Sequence, residues 1–309
     1  MEQNTVLYAS ISLLLIILVS KLFKKSFHLP PSPFPKLPII GHLHLIKPPL
    51  HRTLDTLSKT FGPIISLQFG SSLVVVVSSP AAVEECFTKN DVVLADRPRL
   101  TMGKYMGYNW STMAGASYGD HWRNLRRISS LEIFSTSRLN SFLSIRRDEV
   151  NQLLLTLSQN ARTGFNKIVP KPNLNVLSFN IVMRMIAGKR YYGDVVDDQE
   201  EAKNVRKIIE EVLSISNSYP GDFLPFLKWI DYKNYQKRAA TLSKKMDQIL
   251  QGIIEEHRSG EGRNSMVDHL LSLQESQPDS HSDVIIKGLM AVRMLINPAV
   301  FCLIEVNCS

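Results

Sequence analysis

The chain has 309 residues, 44% of them hydrophobic and 21% charged, with 36 Lys and Arg against 28 Asp and Glu for a net charge of +8. That balance excludes a disordered chain, and the dispersal of its basic residues excludes a nucleic-acid-binding arm, so no nucleic-acid partner is expected. Three cysteines, Cys86, Cys302 and Cys308, are too few and too unevenly spaced for a disulfide framework and suit a reducing compartment.

The first element is the apolar run Thr5 to Phe23, TVLYASISLLLIILVSKLF, which has no acidic residue. A helix of that length is roughly 28 Å long at about 1.5 Å per residue, enough to cross the hydrocarbon layer. Glu2 precedes the run and Lys21, Lys24 and Lys25 follow it, the reverse of a cleaved signal. Residues 1–25 are therefore expected to be a single-pass transmembrane signal anchor, with the body cytosolic by the positive-inside rule. The triplets at Asn109 and Asn307 match glycosylation sites, but a cytosolic body would not meet the transferase.

Residues 26–49 carry Pro30, Pro31, Pro33, Pro35 and Pro38, which fix φ and remove backbone donors. They predict a stiff, polyproline-like hinge ending in a turn at Gly41. The body, 50–309, is large enough for one core or two. Leu50 to Thr60 has helical spacing and stops at Phe61-Gly62-Pro63. Ile64–Phe69 and Leu73–Val77 flank Gly70-Ser71-Ser72 as a β-hairpin, and Pro80 opens a short helix to Phe87. Residues 91–117 predict a long irregular loop. Helices follow over 118–130, 138–158, 174–187, 199–216, 234–258, 265–273 and 282–296. Strands in front and helices behind predict a mostly α-helical α+β body.

The strongest local signal is His121-Trp122-Arg123-Asn124-Leu125-Arg126-Arg127. Trp122 and Arg126, four apart on a helix, place an indole N–H and a guanidinium on one face, where they can converge on a carboxylate. On spacing alone a cation–π stack is the commoner arrangement of such a pair. No His-Glu-x-x-His pattern occurs, and His42-x-His44 lacks a third ligand, so neither zinc-hydrolase chemistry nor a metal site built from side-chain clusters is expected.

An amino-terminal anchor, PPSPFPKLPIIG, the strand pair, LADRPR, SYGDHWRNLRR and FNIVMRMIAGKRYYG occur in an order that resembles the amino-terminal part of a plant microsomal cytochrome P-450, in particular the isoflavone hydroxylase group. The resemblance runs from Met1 to about Val292. It implies the cytochrome P-450 fold, incomplete at the carboxy terminus, and a haem (iron protoporphyrin) whose propionate is held by Trp122 and Arg126, with Lys104 as a third partner. It also implies an apolar substrate pocket lined by Arg99–Gly115 and Val212–Trp229. The corresponding activity is a haem-thiolate monooxygenase of the endoplasmic reticulum membrane. Such an enzyme hydroxylates small apolar or phenolic plant metabolites, isoflavone-like, with O₂ and electrons from an NADPH-dependent flavoprotein reductase.

The pattern breaks after Val292. The resemblance calls for an iron-ligating cysteine in a Phe-x-x-Gly-x-Arg-x-Cys loop, and Cys308 does not supply it, since Ile304 and Val306 replace the Gly and Arg. Glu255-Glu256-His257-Arg258 satisfies Glu-x-x-Arg only by coincidence. The Ala-Gly-x-Asp/Glu-Thr proton-delivery element is replaced by Leu295-Ile296-Asn297-Pro298, and Pro298 is expected to end the helix. The axial Cys ligand is thus not expected in this chain, no catalytic residue is assigned, and activity of the chain alone is not expected. The alternative is a non-catalytic, membrane-tethered truncated product.

Overall fold

The computed structural model describes Ser12 and residues 29–161, 169–193, 196, 198–216, 219–260, 264–278 and 281–308, with the backbone alone at 160 and from 296. The anchor expected over 5–23 lies outside these residues apart from Ser12. Among the described residues no helix is long and apolar enough to cross a membrane. The chain divides into two compact units at Pro80.

The first unit contains helix α1 (Leu50–Phe61) and the antiparallel strands β1 (Ile64–Phe69) and β2 (Ser72–Val77), paired from Ile64↔Val77 to Phe69↔Ser72. α1 stops where Gly62 takes φ 112°. The proline segment does not stand free. Ser66 donates its N–H to Pro31 O and its hydroxyl to Pro30 O, both at 2.8 Å, and Gly41 bridges Phe69. Prolines lack donors but keep acceptor carbonyls, and the outer edge of β1 supplies the donors. Gly41 sits at φ 62°, with Gln68 O only 2.2 Å from where a Cβ would lie. His42 is buried, accepts the Gln68 N–H on Nδ1 at 2.7 Å and donates Nε2–H to Pro33 O at 3.0 Å. Both ring nitrogens are committed to the fold, and burial holds the ring's pKa below the ordinary histidine value.

The second unit is helical. α2 (Pro80–Phe87) leads to 91–117, where two short helices, α3 (Asp91–Leu94) and α4 (Thr101–Tyr105), interrupt the expected loop. α5 (Asp120–Ile128) passes into a π-helical turn, Ser129–Ile133. The helix expected over 138–158 is two, α6 (Thr136–Ser141) and α7 (Leu143–Ala161), broken at buried Phe142. α8 (Pro170–Ala187) begins earlier than its periodicity predicts, because Pro170 sits in the first turn, where a missing N–H costs nothing, and ends at Gly188 with φ 68°.

Local capping fixes the next elements. Asp198 accepts the N–H groups of Glu200 and Glu201 at the start of α9 (Gln199–Ile215), and Ser265 and Asp268 form a reciprocal capping box on α12 (Met266–Ser276). Between them lie α10 (Pro225–Trp229) and α11 (Tyr235–Arg258). α13 (Asp283–Cys308) overturns one expectation, since its backbone continues through Pro298. A proline removes one i→i−4 bond, here to the Met294 carbonyl, and the helical backbone runs on past it.

One core joins α8, α9, α11, α12 and α13. Met183 and Ile186, Val205 and Val212, Leu250 and Ile254, Val267 and Leu270, and Ile286 and Met290 are nearly or fully excluded from solvent. Each such aliphatic side chain contributes about 1.5–3 kcal/mol on burial. α13 is thereby fixed against α8, which orients its amino-terminal half toward the loop before α5.

Candidate functional site

The site is built on α5 and the loop that precedes it. Consecutive residues of α5 hold that loop: His121 donates Nε2–H to Ser111 O at 2.7 Å and Trp122 donates Nε1–H to Met113 O at 3.2 Å. Arg126, one turn on, is exposed, and its guanidinium lies 5.5 Å from the Trp122 ring centroid. Tyr118 packs against Trp122 with centroids 5.6 Å apart, and Arg123 lies over Tyr118 while pairing with Asp120. The two residues predicted to converge on an acid are therefore adjacent. In this structure the indole proton is shared with a backbone carbonyl, and the guanidinium stacks on the indole. Lys104, on α4, is exposed and rests 5.7 Å from the Tyr105 ring.

Three consecutive residues of the loop, Tyr108, Asn109 and Trp110, take positive φ. Their backbone is strained and held by contacts. Trp110 packs where Gly103 leaves room, since a Cβ there would meet its Cδ1 at 2.6 Å, and it donates Nε1–H to Leu100 O at 2.8 Å. Tyr108 donates its hydroxyl to Asp247 Oδ1 of α11 at 2.9 Å, and Lys287 Nζ of α13 donates to the same oxygen at 2.8 Å. Burial and the Asp247 carboxylate raise the Tyr108 pKa far above the ordinary phenol value, so its proton stays on the bridge.

Asp222 Oδ1 accepts both the N–H and the hydroxyl of Thr101, at 2.8 and 2.6 Å, and pairs with Lys228. That acid ties α4 to the segment 212–229, bringing together the two stretches expected to line a pocket.

Two cavities flank Met113. One, of about 270 Å³, lies between Ser111, Thr112, His121 and Leu125 on one side and Val284, Ile285 and Gly288 of α13 on the other. Gly288 keeps α13 close to the loop, with Thr112 Cγ2 3.3 Å from where a Cβ would lie. The other, of about 240 Å³, is lined by Met113, Ser129, Ile133, Phe134, Val182, Leu289, Val292 and Arg293. No residue of 212–229 lines either cavity. Sequence reasoning missed Arg293, Asp247 and Asp222. A lone arginine inside the apolar run from Gly288 to Ile296 was the available signal for the first. The other two announce themselves only through partners distant in sequence.

Comparison with known proteins supplies the frame for this geometry. Residues 30–292 match the family model described as cytochrome P450. The chain is 54% identical over 299 residues to cytochrome P450 81Q32 of Catharanthus roseus, covering 96% of this chain and 60% of that one. It is 51% identical to an isoflavone 3′-hydroxylase of Medicago truncatula, covering 93% of this chain and 60% of that protein. An isoflavone 2′-hydroxylase of Glycyrrhiza echinata is 50% identical, with coverages of 88% and 55%. The chain thus spans at most about three-fifths of the length of these relatives. A zebra fish cytochrome P450 solved with abiraterone shares the fold at a TM-score of 0.60 and 20% identity, over 81% of this chain and 54% of that one. With its helical unit, its loop held on α5 and a family match across more than half its length, the chain belongs to the cytochrome P450 family.

Proposed function

We propose that this chain contributes the amino-terminal portion of a haem-thiolate monooxygenase that hydroxylates small phenolic or apolar plant metabolites of the isoflavone class. The observation that carries the reading is the match, at about half identity, to relatives named as isoflavone hydroxylases. The donor chemistry of α5 fits the acid edge of a haem. Arg126 is exposed and forms no ion pair among the described residues, and Trp122 beside it presents an indole N–H. A propionate entering there would take the guanidinium fork and compete with Met113 O for the indole proton. Lys104, on α4, adds a second cation.

Bound haem would supply O₂ activation. This chain's residues would bind its acid groups, hold the loop over α13 and exclude water from the cavities beside Met113. Electrons would come from an NADPH-dependent flavoprotein reductase, to which a net charge of +8 offers an attractive surface. The Lys residues flanking 5–23 support placement as a single-pass protein of the endoplasmic reticulum membrane with a cytosolic body.

A second reading, a tethered product without catalysis, is favoured by Arg293 and Pro298 in the helix segment where the family carries its acid-Thr pair. Haem titration of the purified chain tests the first. Saturable binding weakened at least about tenfold by joint Trp122→Phe and Arg126→Met substitution is expected. A chain that takes up no haem, or whose affinity ignores both substitutions, overturns it in favour of the second. In the carbon monoxide-bound reduced state, the chain alone is expected to lack the thiolate-type Soret band.

A further inference from the structure

The cavity of about 240 Å³ beside Met113 has two polar lining residues, Ser129, whose hydroxyl is committed to Leu125 O at 2.8 Å, and Arg293 of α13. Its Cζ lies 4.9 Å from the Phe134 ring centroid, Nη2 is 3.8 Å from Met185 Sδ, and Nε is shielded from solvent with no hydrogen-bond partner. A guanidinium does not deprotonate in proteins, so the charge stays. No carboxylate answers it, since Arg293 forms no ion pair among the described residues. Glu132, on the π-helical turn that lines the cavity, is taken by His269 at 2.7 Å. The charged neighbour that Arg293 does sense is Arg146 of α7, another cation. Burial and that neighbour both lower the Arg293 pKa from the ordinary arginine value, which is the signature of a cation lacking its anion.

A half-buried, permanently charged guanidinium whose Nε is shielded and unpartnered, with a sulfur and a ring face beside it, is complementary to a carboxylate. The walls around it, Ile133, Phe134, Val182, Leu289 and Val292, are complementary to an aryl or alkyl body. We infer that this cavity binds a small amphipathic monocarboxylate, its acid group on Arg293 and its apolar body against Phe134 and Leu289. The acid-binding group of this cavity, Arg293 of α13, is distinct from the Trp122 and Arg126 pair of α5.

The experiment is calorimetric titration of the full chain with 3-phenylpropionate and, separately, with its primary amide, which has nearly the same shape and no charge. The acid is expected to bind at least about tenfold more tightly than the amide, the value of a charge-assisted contact. Arg293→Met should reduce acid affinity to that of the amide. This variant keeps the apolar stem and removes a half-buried charge, so it is expected to fold, and circular dichroism verifies that it does. Arg293→Lys should recover part of the preference, whereas Arg127→Met, the same loss of charge on the exposed face of α5, should leave it intact. Equal binding of acid and amide, binding of neither, or undiminished acid affinity in Arg293→Met would overturn the inference.

Discussion

Glu149 of α7 provides a quantitative test of how the helical unit is held. Its carboxylate accepts from Arg184 Nη1 and Arg190 Nε, each at 2.6 Å, and from Asn180 Nδ2 at 3.4 Å, with a side chain only 4% exposed. Neighbouring Asp148 takes the same two arginines at 2.5 and 2.7 Å but is 45% exposed. Burial alone would lower the Arg184 pKa, yet bonds to Glu149 and Asp148 raise it overall, so the network stabilises its own charges. Glu149→Gln keeps the shape and removes one buried charge, leaving two largely buried cations to share an exposed acid. Breaking a buried pair costs about 3–5 kcal/mol. Because Asp148 remains, the lower end applies, about 3 kcal/mol. Asp148→Asn, in contrast, should cost about 0.5–1 kcal/mol, as for an exposed pair. In urea denaturation followed by circular dichroism, Glu149→Gln should lower the midpoint by about 1 M. The two substitutions share both arginines, so the double variant should depart from additivity. If Asp148→Asn proves as damaging as Glu149→Gln, burial is not what sets the strength of this network, and the reasoning fails.

Three further outcomes follow from the structure. Arg258 and Gln274 hold the Asp283 carboxylate below its ordinary pKa, despite burial that would raise it. The resulting stability is present above the unfolded-state pKa of about 3.9 and is lost as pH falls through the folded value, so the thermal midpoint gap between the native chain and Asp283→Asn should narrow below about pH 4. A gap independent of pH would contradict this. Gly41→Ala forces a Cβ against Gln68 O at φ 62° and should cost about 2–4 kcal/mol, read as faster amide exchange at Ser66 and Gln68. Trp122→Phe leaves Met113 O without its donor at a cost of about 1 kcal/mol, and should increase exchange across 108–116 while sparing α8.

The elements most legible in the sequence were those governed by local chemistry. β1 and β2 follow from their β-branched residues around Gly70, and α9 and α11 lie within a residue of where periodicity puts them. The misses have tertiary causes. Phe142 breaks what looks like one helix because its ring is buried at the junction of α6 and α7, and nothing in the spacing distinguishes a buried corner from a continuing stripe. Residues 91–117 lack helical periodicity because α3 and α4 span only one turn or so each, and α4 is held by Asp222, more than 100 residues away. Pro298 is a strong local signal against helix, yet the backbone of α13 continues past it. The Trp122 and Arg126 pair was legible as a pair, but its dual character was not. Spacing shows that indole and guanidinium share a face, not that the indole proton is already engaged with Met113 O.

That engagement links the loop to the site. His121 and Trp122 face the carbonyls of Ser111 and Met113 because neighbouring residues on α5 project about 100° apart and the loop wraps across both directions. The same loop is anchored at its other end, where Tyr108 reaches Asp247, and Asp247 in turn holds Lys287 of α13. A group that draws the Trp122 proton away from Met113 O therefore acts on a segment fixed at both ends, and the strain must appear in the residues between them. Those residues include Ser111, Thr112 and Met113, which line the cavities against α13. The proposed propionate at Trp122 and Arg126 would thus be coupled to the shape of the apolar cavities through three residues of backbone.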